Sequence, residues 1–191
     1  MENPKATVEQ SPPKGDRKIM NLDTLAARVK ELKELGKVIG YIEGVWDIYH
    51  DGYVDFIEFA KSQCDVLVVL VASDDYAKTN KGNLEKGDVR PIFNQKRRCR
   101  VIAKNEDVSL VLEGENPPAK FGTEKYEDYM RFVTQTIKPD KIIVNTITDA
   151  GTEIKRARAT AIDAEFVTCE IEPPTSTSKI ANDLMRLDNT L

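Results

Sequence analysis

The stretch DVLVVLVA, Asp65 to Ala72, is apolar without a break from Val66 onward. A strand with one wet face alternates polar and apolar residues, so an unbroken run describes a strand covered by helices on both faces, the usual condition of a parallel sheet. The neighbouring segments repeat the theme. KVIGYIEG, Lys37 to Gly44, is a β-branched run punctuated by glycine and reads as the preceding strand; Val108 to Leu112, Lys141 to Asn145 and Glu165 to Cys169 read as later ones. Helical stripes fill the gaps. Leu22, Leu25, Ala26, Val29, Leu32 and Leu35 mark one, with Asn21 or Asp23 to cap its start and Gly36 to end it. Tyr53, Phe56, Ile57 and Ala60 mark a second, and Tyr126, Tyr129, Met130, Val133 and Ile137 a third. Asn94 to Ala103 and Thr152 to Ile162 read as further helices, Ser73 to Arg90 as a polar loop, and Ile180, Leu184 and Leu187 as one side of a closing helix. Strands alternating with helices imply right-handed β-α-β crossovers. The expected fold is α/β: a three-layer, Rossmann-like domain with a parallel sheet of about five strands. Ligands in such sheets bind beyond the carboxyl ends of the strands, at the switch point. That rule gathers the loops after Gly44, Ala72, Asn145 and Cys169 around one site.

The chain has 191 residues, 40% of them hydrophobic, which fits one domain with a real core. Residues 1–20, rich in Pro, Lys and Glu, read as a disordered leader, and residues 21–191 as the domain. A net charge of −4 and a pI near 5.2 argue against a general nucleic-acid or anionic-membrane binder, since those need a basic face to neutralise phosphates. A small anionic substrate needs only a few local cations. The three cysteines, Cys64, Cys99 and Cys169, stand far apart with no metal-ligand spacing and read as reduced thiols. No apolar run approaches the roughly 18 residues of a membrane span, and the N-terminus lacks the apolar core of a signal peptide. A soluble, cytoplasmic protein is expected.

Chemistry points to GVWDIYHDGY, Gly44 to Tyr53, which follows the first expected strand and opens the next helix. Glycine lets backbone approach an anion, and free N–H groups at a helix start favour negative charge. His50, the only histidine, lies about one turn before that helix, where an imidazole can donate to a phosphate oxygen. Two basic clusters accompany it. Arg90, Arg97, Arg98 and Arg100 read mainly as a solvated helix face, with one of them near the phosphates still open. Lys155, Arg156 and Arg158 read equally as a solvated face or as an acceptor-phosphate site.

These residues resemble the nucleotidyltransferases whose signature is G-x-F-D-x-x-H-x-G-H. LAARVKELKELGKVIGYIEG, KGNLEKGDVRPIFNQKRRCRVIA from Lys81, KPDKIIVN and TSTSKI are similar to successive elements of the adenylyltransferase domain of bacterial ADP-heptose synthases. Glycerol-3-phosphate cytidylyltransferases share the outline. The resemblance covers about Leu22 to Leu187 and implies transfer of AMP or CMP from ATP or CTP, with magnesium on the nucleotide, to a sugar or polyol phosphate. Pyrophosphate leaves. It implies that Gly44 and Gly52 shape the turn, that His50 contacts the triphosphate and that Lys81 neutralises phosphate charge. Val45, Trp46, Asp47, Arg90, Thr175, Ser176, Thr177 and Ser178 join the nucleotide and phosphate site. Asp47 either orders the loop or helps place magnesium, Ser176 is also a plain helix N-cap, and Trp46 also reads as core. No resident metal site, nucleic acid or membrane is implied, and homodimers are common among the proteins it resembles.

Four features depart from the pattern. Tyr53 stands where the second signature histidine belongs, and a phenol donates a hydrogen bond but carries no positive charge. Ile171 stands where the cytidylyltransferases have an arginine, and Pro173-Pro174 replaces a glycine-bearing turn; after KIIVN comes TITDAG rather than a glycine-rich turn. The alternative expectation is therefore a catalytically silent relative that binds a nucleotide or phosphometabolite as a sensor or partner module.

Overall fold

The computed structural model describes residues 16–81, 90–180 and 183. Six strands form one sheet in the order β1-β4-β3-β2-β5-β6, with every pairing parallel. They are β1 (Ile19–Met20), β2 (Ile39–Gly44), β3 (Val66–Val71), β4 (Leu110–Glu113), β5 (Lys141–Asn145) and β6 (Glu165–Cys169). The helices are α1 (Leu22–Glu34), α2 (Asp51–Ser62), α3 (Asp74–Lys81), α4 (Gln95–Ala103), α5 (Glu124–Ile137) and α6 (Thr152–Thr160).

The unbroken apolar run of β3 does what its composition requires, with all six residues buried. Val66, Val68 and Leu70 face a core shared with Leu25 and Val29 of α1, Tyr126, Met130, Val133 and Ile137 of α5, and Ala159 of α6. Leu67, Val69 and Val71 face the opposite core, against Ile57 and Ala60 of α2 and Cys99, Ile102 and Ala103 of α4. Burying such a side chain contributes about 1.5–3 kcal/mol, and strand alternation distributes that gain to both faces. From β2 the chain winds outward through β3 to β4, then returns to build β5 and β6 on the other side. The switch point thus lies between β2 and β5.

Two details differ from the sequence expectation. Residues 16–20, placed by sequence in the leader, form a 3-10 turn and strand β1, which pairs with β4 and raises the sheet to six strands. The start of the expected loop Ser73 to Arg90 is helix α3, whose first turn is capped where Tyr76 N–H donates to Ser73 Oγ at 3.1 Å. The closing helix begins at Thr177; Leu184 and Leu187 lie outside the described residues, as do residues 1–15 and 82–89. Asn21 caps α1, accepting from Thr24 N–H at 2.9 Å. Among the described residues no helix is long and apolar enough to cross a membrane.

Candidate active site

Beyond the carboxyl end of β2 the chain turns through Val45 to His50 into α2. The turn is tight: Trp46 and Ile48 hold φ of 59° and 46°, a region that costs a side-chain-bearing residue of order 1–3 kcal/mol. Packing holds it. The Trp46 indole donates to the Leu70 carbonyl at 2.8 Å and lies so close to Gly44 that a Cβ there would stand 2.9 Å from its Cε2. Gly44 is thus fixed by the approach of the indole, and Trp46 both belongs to the core and borders the site.

Asp47 is fully buried and ties this loop to a distant segment. Its two carboxylate oxygens accept the N–H groups of Ile92 at 2.8 Å and Phe93 at 3.0 Å, and Arg90 Nε lies 3.5 Å away. Its carbonyl accepts the Thr177 hydroxyl at 2.6 Å, which stands 3.4 Å from the Tyr53 hydroxyl. Of the two roles open to Asp47, ordering is the one these bonds perform. Arg90 is itself buried, and its Nε and Nη1 have no hydrogen-bond partner among the described residues. Buried guanidinium donors left without partners favour an anion in the adjoining cleft.

His50 occupies the N-cap position of α2 without making a capping bond. Its ring stacks on Tyr53 with centroids 4.0 Å apart, and its buried Nδ1, 4.0 Å from Asp51 Oδ1, has no hydrogen-bond partner among the described residues. Burial pushes the imidazole pKa below its ordinary 6.5, with the Asp51 carboxylate offsetting part of the effect. His50 is therefore neutral near pH 7 and has one N–H to donate. As the lone histidine, it gives a single Hε1 signal in proton NMR. The titration midpoint of that signal is expected below 6.5 in the free protein and higher with a triphosphate present, because an anion favours the imidazolium. A midpoint at or above 6.5 without ligand contradicts the buried, neutral state.

A cleft of about 420 Å³ gathers Gly44, Val45, Trp46, Asp47, His50, Gly52, Tyr53, Arg90, Thr175, Ser176, Thr177 and Ser178. Lys81 closes α3, and its side chain lies outside the described residues. Ser176 Oγ accepts from Lys179 N–H at 3.2 Å, which is the N-cap role weighed for it above. Gly52 owes its identity to packing: a Cβ there would stand 2.5 Å from the Pro173 Cβ. Gly52→Ala is accordingly expected to push the 173–178 segment off α2 and cost about 1–3 kcal/mol, read as a fall of roughly 2–12 °C in Tm. An unchanged Tm would show that the two segments separate freely.

Each basic cluster divides: Arg97, Arg100 and Arg156 are exposed, as a solvated face requires, whereas Arg98, Lys155 and Arg158 are buried. The fully buried Arg98 donates from Nε to the Phe93 carbonyl at 2.9 Å, from Nη1 to the Val45 carbonyl, and from Nη2 to the Ala72 carbonyl at 2.8 Å and to Asp74 at 2.7 Å. Arg97 lies over the Phe93 ring, and Arg100 pairs with Asp16. In the second cluster Arg156 lies over Phe166, whereas Lys155 and Arg158 are buried. Arg158 reaches Glu43 at 3.0 Å and Glu127 at 2.9 Å; Lys155 reaches Glu43 at 3.3 Å and also pairs with Asp149. Burial alone would raise the Glu43 carboxyl, but Arg158, Lys155 and the Tyr41 phenol outweigh it and hold the group at about 2. The charges of Lys155 and Arg158 are thus spent on carboxylates. Glu43, Asn145 and Asp149 also line the cleft and were not anticipated. The available signal was their place, a polar residue at or just past the carboxyl end of a parallel strand.

Among the described residues no group of carboxylates, histidines or cysteines is arranged to hold a metal ion. The Asp47 carboxylate is fully engaged, so the residues present fit magnesium only as an ion carried on triphosphate oxygens and water.

A doubly wound parallel sheet, with a glycine-bearing loop and a histidine lining the cleft at its switch point, places the chain in the Rossmann-like class of α/β folds. The chain belongs to the cytidylyltransferase-like family, whose model matches residues 41–182. It is similar to the bifunctional protein HldE of Methylobacillus flagellatus, 27% identical over 177 residues, 92% of this chain and 33% of that one. The corresponding protein of Hyphomonas neptunium is 34% identical over 108 residues, 56% of this chain and 21% of that one. The chain thus spans about a fifth to a third of the length of these relatives. In fold it is similar to pantoate-beta-alanine ligase from Francisella tularensis, solved with beta-gamma ATP and beta-alanine, at a TM-score of 0.57 and 15% identity over 88% of this chain and 77% of that one.

Proposed function

We propose that the chain transfers a nucleotidyl group, AMP or CMP, from ATP or CTP to the phosphate of a small phosphorylated acceptor, with release of pyrophosphate. The sequence resemblance puts sugar and polyol phosphates first among acceptors. The observation that carries the reading is that two buried donor-bearing groups lining one cleft, Arg90 through its Nη1 and His50 through its ring, have nitrogens without a hydrogen-bond partner among the described residues. In this chemistry an acceptor phosphate oxygen attacks the α-phosphorus as the bond to pyrophosphate breaks, so catalysis consists of aligning two anions and stabilising the charge that develops. His50 donates to the triphosphate, Arg90 supplies a planar charge held in place by Asp47, and Lys81 and the hydroxyls of residues 175–178 complete the cradle. Magnesium bound to the nucleotide would neutralise phosphate charge.

A second reading is favoured by one observation. Tyr53, stacked on His50 and directed to Thr177, supplies a neutral donor where a cation is expected, and burial raises its phenol further above its ordinary pKa. On that reading the cleft binds a nucleotide without turning it over. Pyrophosphate release is measured over a panel of NTPs and phosphorylated acceptors, in the parent and in Tyr53→His. Turnover in the parent supports the transferase. Nucleotide binding with turnover only in Tyr53→His supports the silent binder, and no nucleotide binding in either protein overturns both.

A further inference from the structure

A second cavity, of about 200 Å³, opens beside the first, between the carboxyl ends of β2 and β3 and the helices α3 and α5. The two share Glu43, Gly44, Val45, Thr148, Asp149 and Lys155, so a molecule with its phosphate in the first can extend its body into the second. The wall of the second is aromatic. Tyr76 and Tyr126 stack with centroids 5.7 Å apart, and Phe121 meets Tyr126 edge-on at 5.5 Å. Met130 and the half-buried Tyr129 extend the same surface.

Two polar side chains of this cavity, Ser73 and Asn80, are already engaged. Ser73 Oγ donates to Asn116 Oδ1 and accepts from Tyr76 N–H, both at 3.1 Å. Asn80 donates to the Tyr76 carbonyl at 2.9 Å and accepts from Phe121 N–H at 3.1 Å. Among the described residues the lining carries the carboxylates of Glu43, Glu115 and Asp149 against the single ammonium of Lys155, which Glu43 and Asp149 hold. A polyhydroxylated body would give up its water to meet Ser73 and Asn80 groups already engaged, and a second anion would meet carboxylates that already hold Lys155, the one cation among the described lining residues. Aromatic faces reward an apolar body and tolerate a cation.

We infer that this cavity receives the body of the acceptor, and that the body is a compact apolar group with no negative charge. The inference rests on the transferase reading for the phosphate end only, and it departs from the sugar or polyol phosphate that the sequence resemblance ranks first. Three phosphomonoesters that differ in body test it by calorimetric titration: benzyl phosphate, glucose 1-phosphate and 3-phosphoglycerate. Benzyl phosphate is expected to bind at least about tenfold more tightly than either of the others, a difference of roughly 1.4 kcal/mol. Phe121→Ala and, at a more exposed position, Tyr129→Ala should each weaken benzyl phosphate several-fold while leaving ATP affinity unchanged. Equal or tighter binding of glucose 1-phosphate or 3-phosphoglycerate, insensitivity to both folded variants, or no binding of benzyl phosphate overturns the inference. Because the readout is binding, benzyl phosphate held without any nucleotide binding would overturn the transferase reading and leave the cavity assignment standing.

Discussion

Arg98→Met is expected to destabilise the protein by about 3–5 kcal/mol, the range for removing one member of a buried charged network. Methionine nearly matches the length of the arginine stem, so the loss reads as missing donors rather than as a cavity. Three carbonyls, of Val45, Ala72 and Phe93, depend on the one guanidinium. Each carbonyl left buried without a donor costs about 1–3 kcal/mol. Asp74, whose side chain is 35% exposed, can recover water and adds little. At about 2–4 °C per kcal/mol for a chain of this size, the Tm should fall by roughly 6–20 °C. Urea unfolding followed by tryptophan fluorescence checks the figure, with Trp46 as the only indole. A loss below about 1 kcal/mol would mean that water replaces the guanidinium and that Arg98 holds nothing in place. Since Val45 lines both cavities and Ala72 the second, a folded Arg98→Met should also bind nucleotide and acceptor less tightly.

How far this site was legible in the sequence depends on whether each residue acts through pattern or through direction. The strands β2 to β5 were legible because an apolar run needs no knowledge of its neighbours to be recognised as buried, and β6, mostly exposed or half-buried, was legible from its place in the strand–helix alternation. β1 was not, since two residues, Ile19 and Met20, carry no period, and only the edge of β4 makes them a strand. α3 was hidden by its composition: in DDYAKTNK only Ala77 reaches the buried core, with Tyr76 packed against it, so no stripe forms, and the cap on Ser73 supplies the missing start. Among the arginines, chemistry is identical and direction decides. Arg98 stands four residues before the buried Ile102, so the apolar stripe of α4 passes through it, whereas Arg97 and Arg100 face outward. That periodicity was readable, but the carbonyls awaiting a donor were not. The motif loop was legible as part of the wall of the switch-point cleft from glycine, histidine and position alone. Its tie through Asp47 to Ile92, Phe93 and Thr177 joins residues 45 to 130 positions apart, a pairing that no local spacing encodes.

If the transferase reading holds, His50→Ala should lower kcat by about 10²–10³-fold, the effect of losing one donor aimed at transition-state charge, or about 2.7–4 kcal/mol. The geometry separates that loss from unfolding. The His50 side chain makes no capping bond to α2, so the alanine variant forfeits no cap. What it does lose is the stack on Tyr53, worth roughly 0.5–1.5 kcal/mol. A protein that keeps most of its stability but little of its turnover has lost a group acting at the reaction. His50→Gln sharpens the point, because its amide retains an N–H donor without a titratable charge: partial recovery of kcat marks hydrogen-bond donation by the neutral imidazole. Recovery in neither variant, with nucleotide affinity unchanged, would instead indicate that the imidazolium is the working form. Nucleotide affinity should fall less than kcat, since Arg90 and the 175–178 segment still hold the ground-state phosphates. An Ala variant with full turnover would remove His50 from the mechanism, leaving Arg90 as the group on which the reading rests.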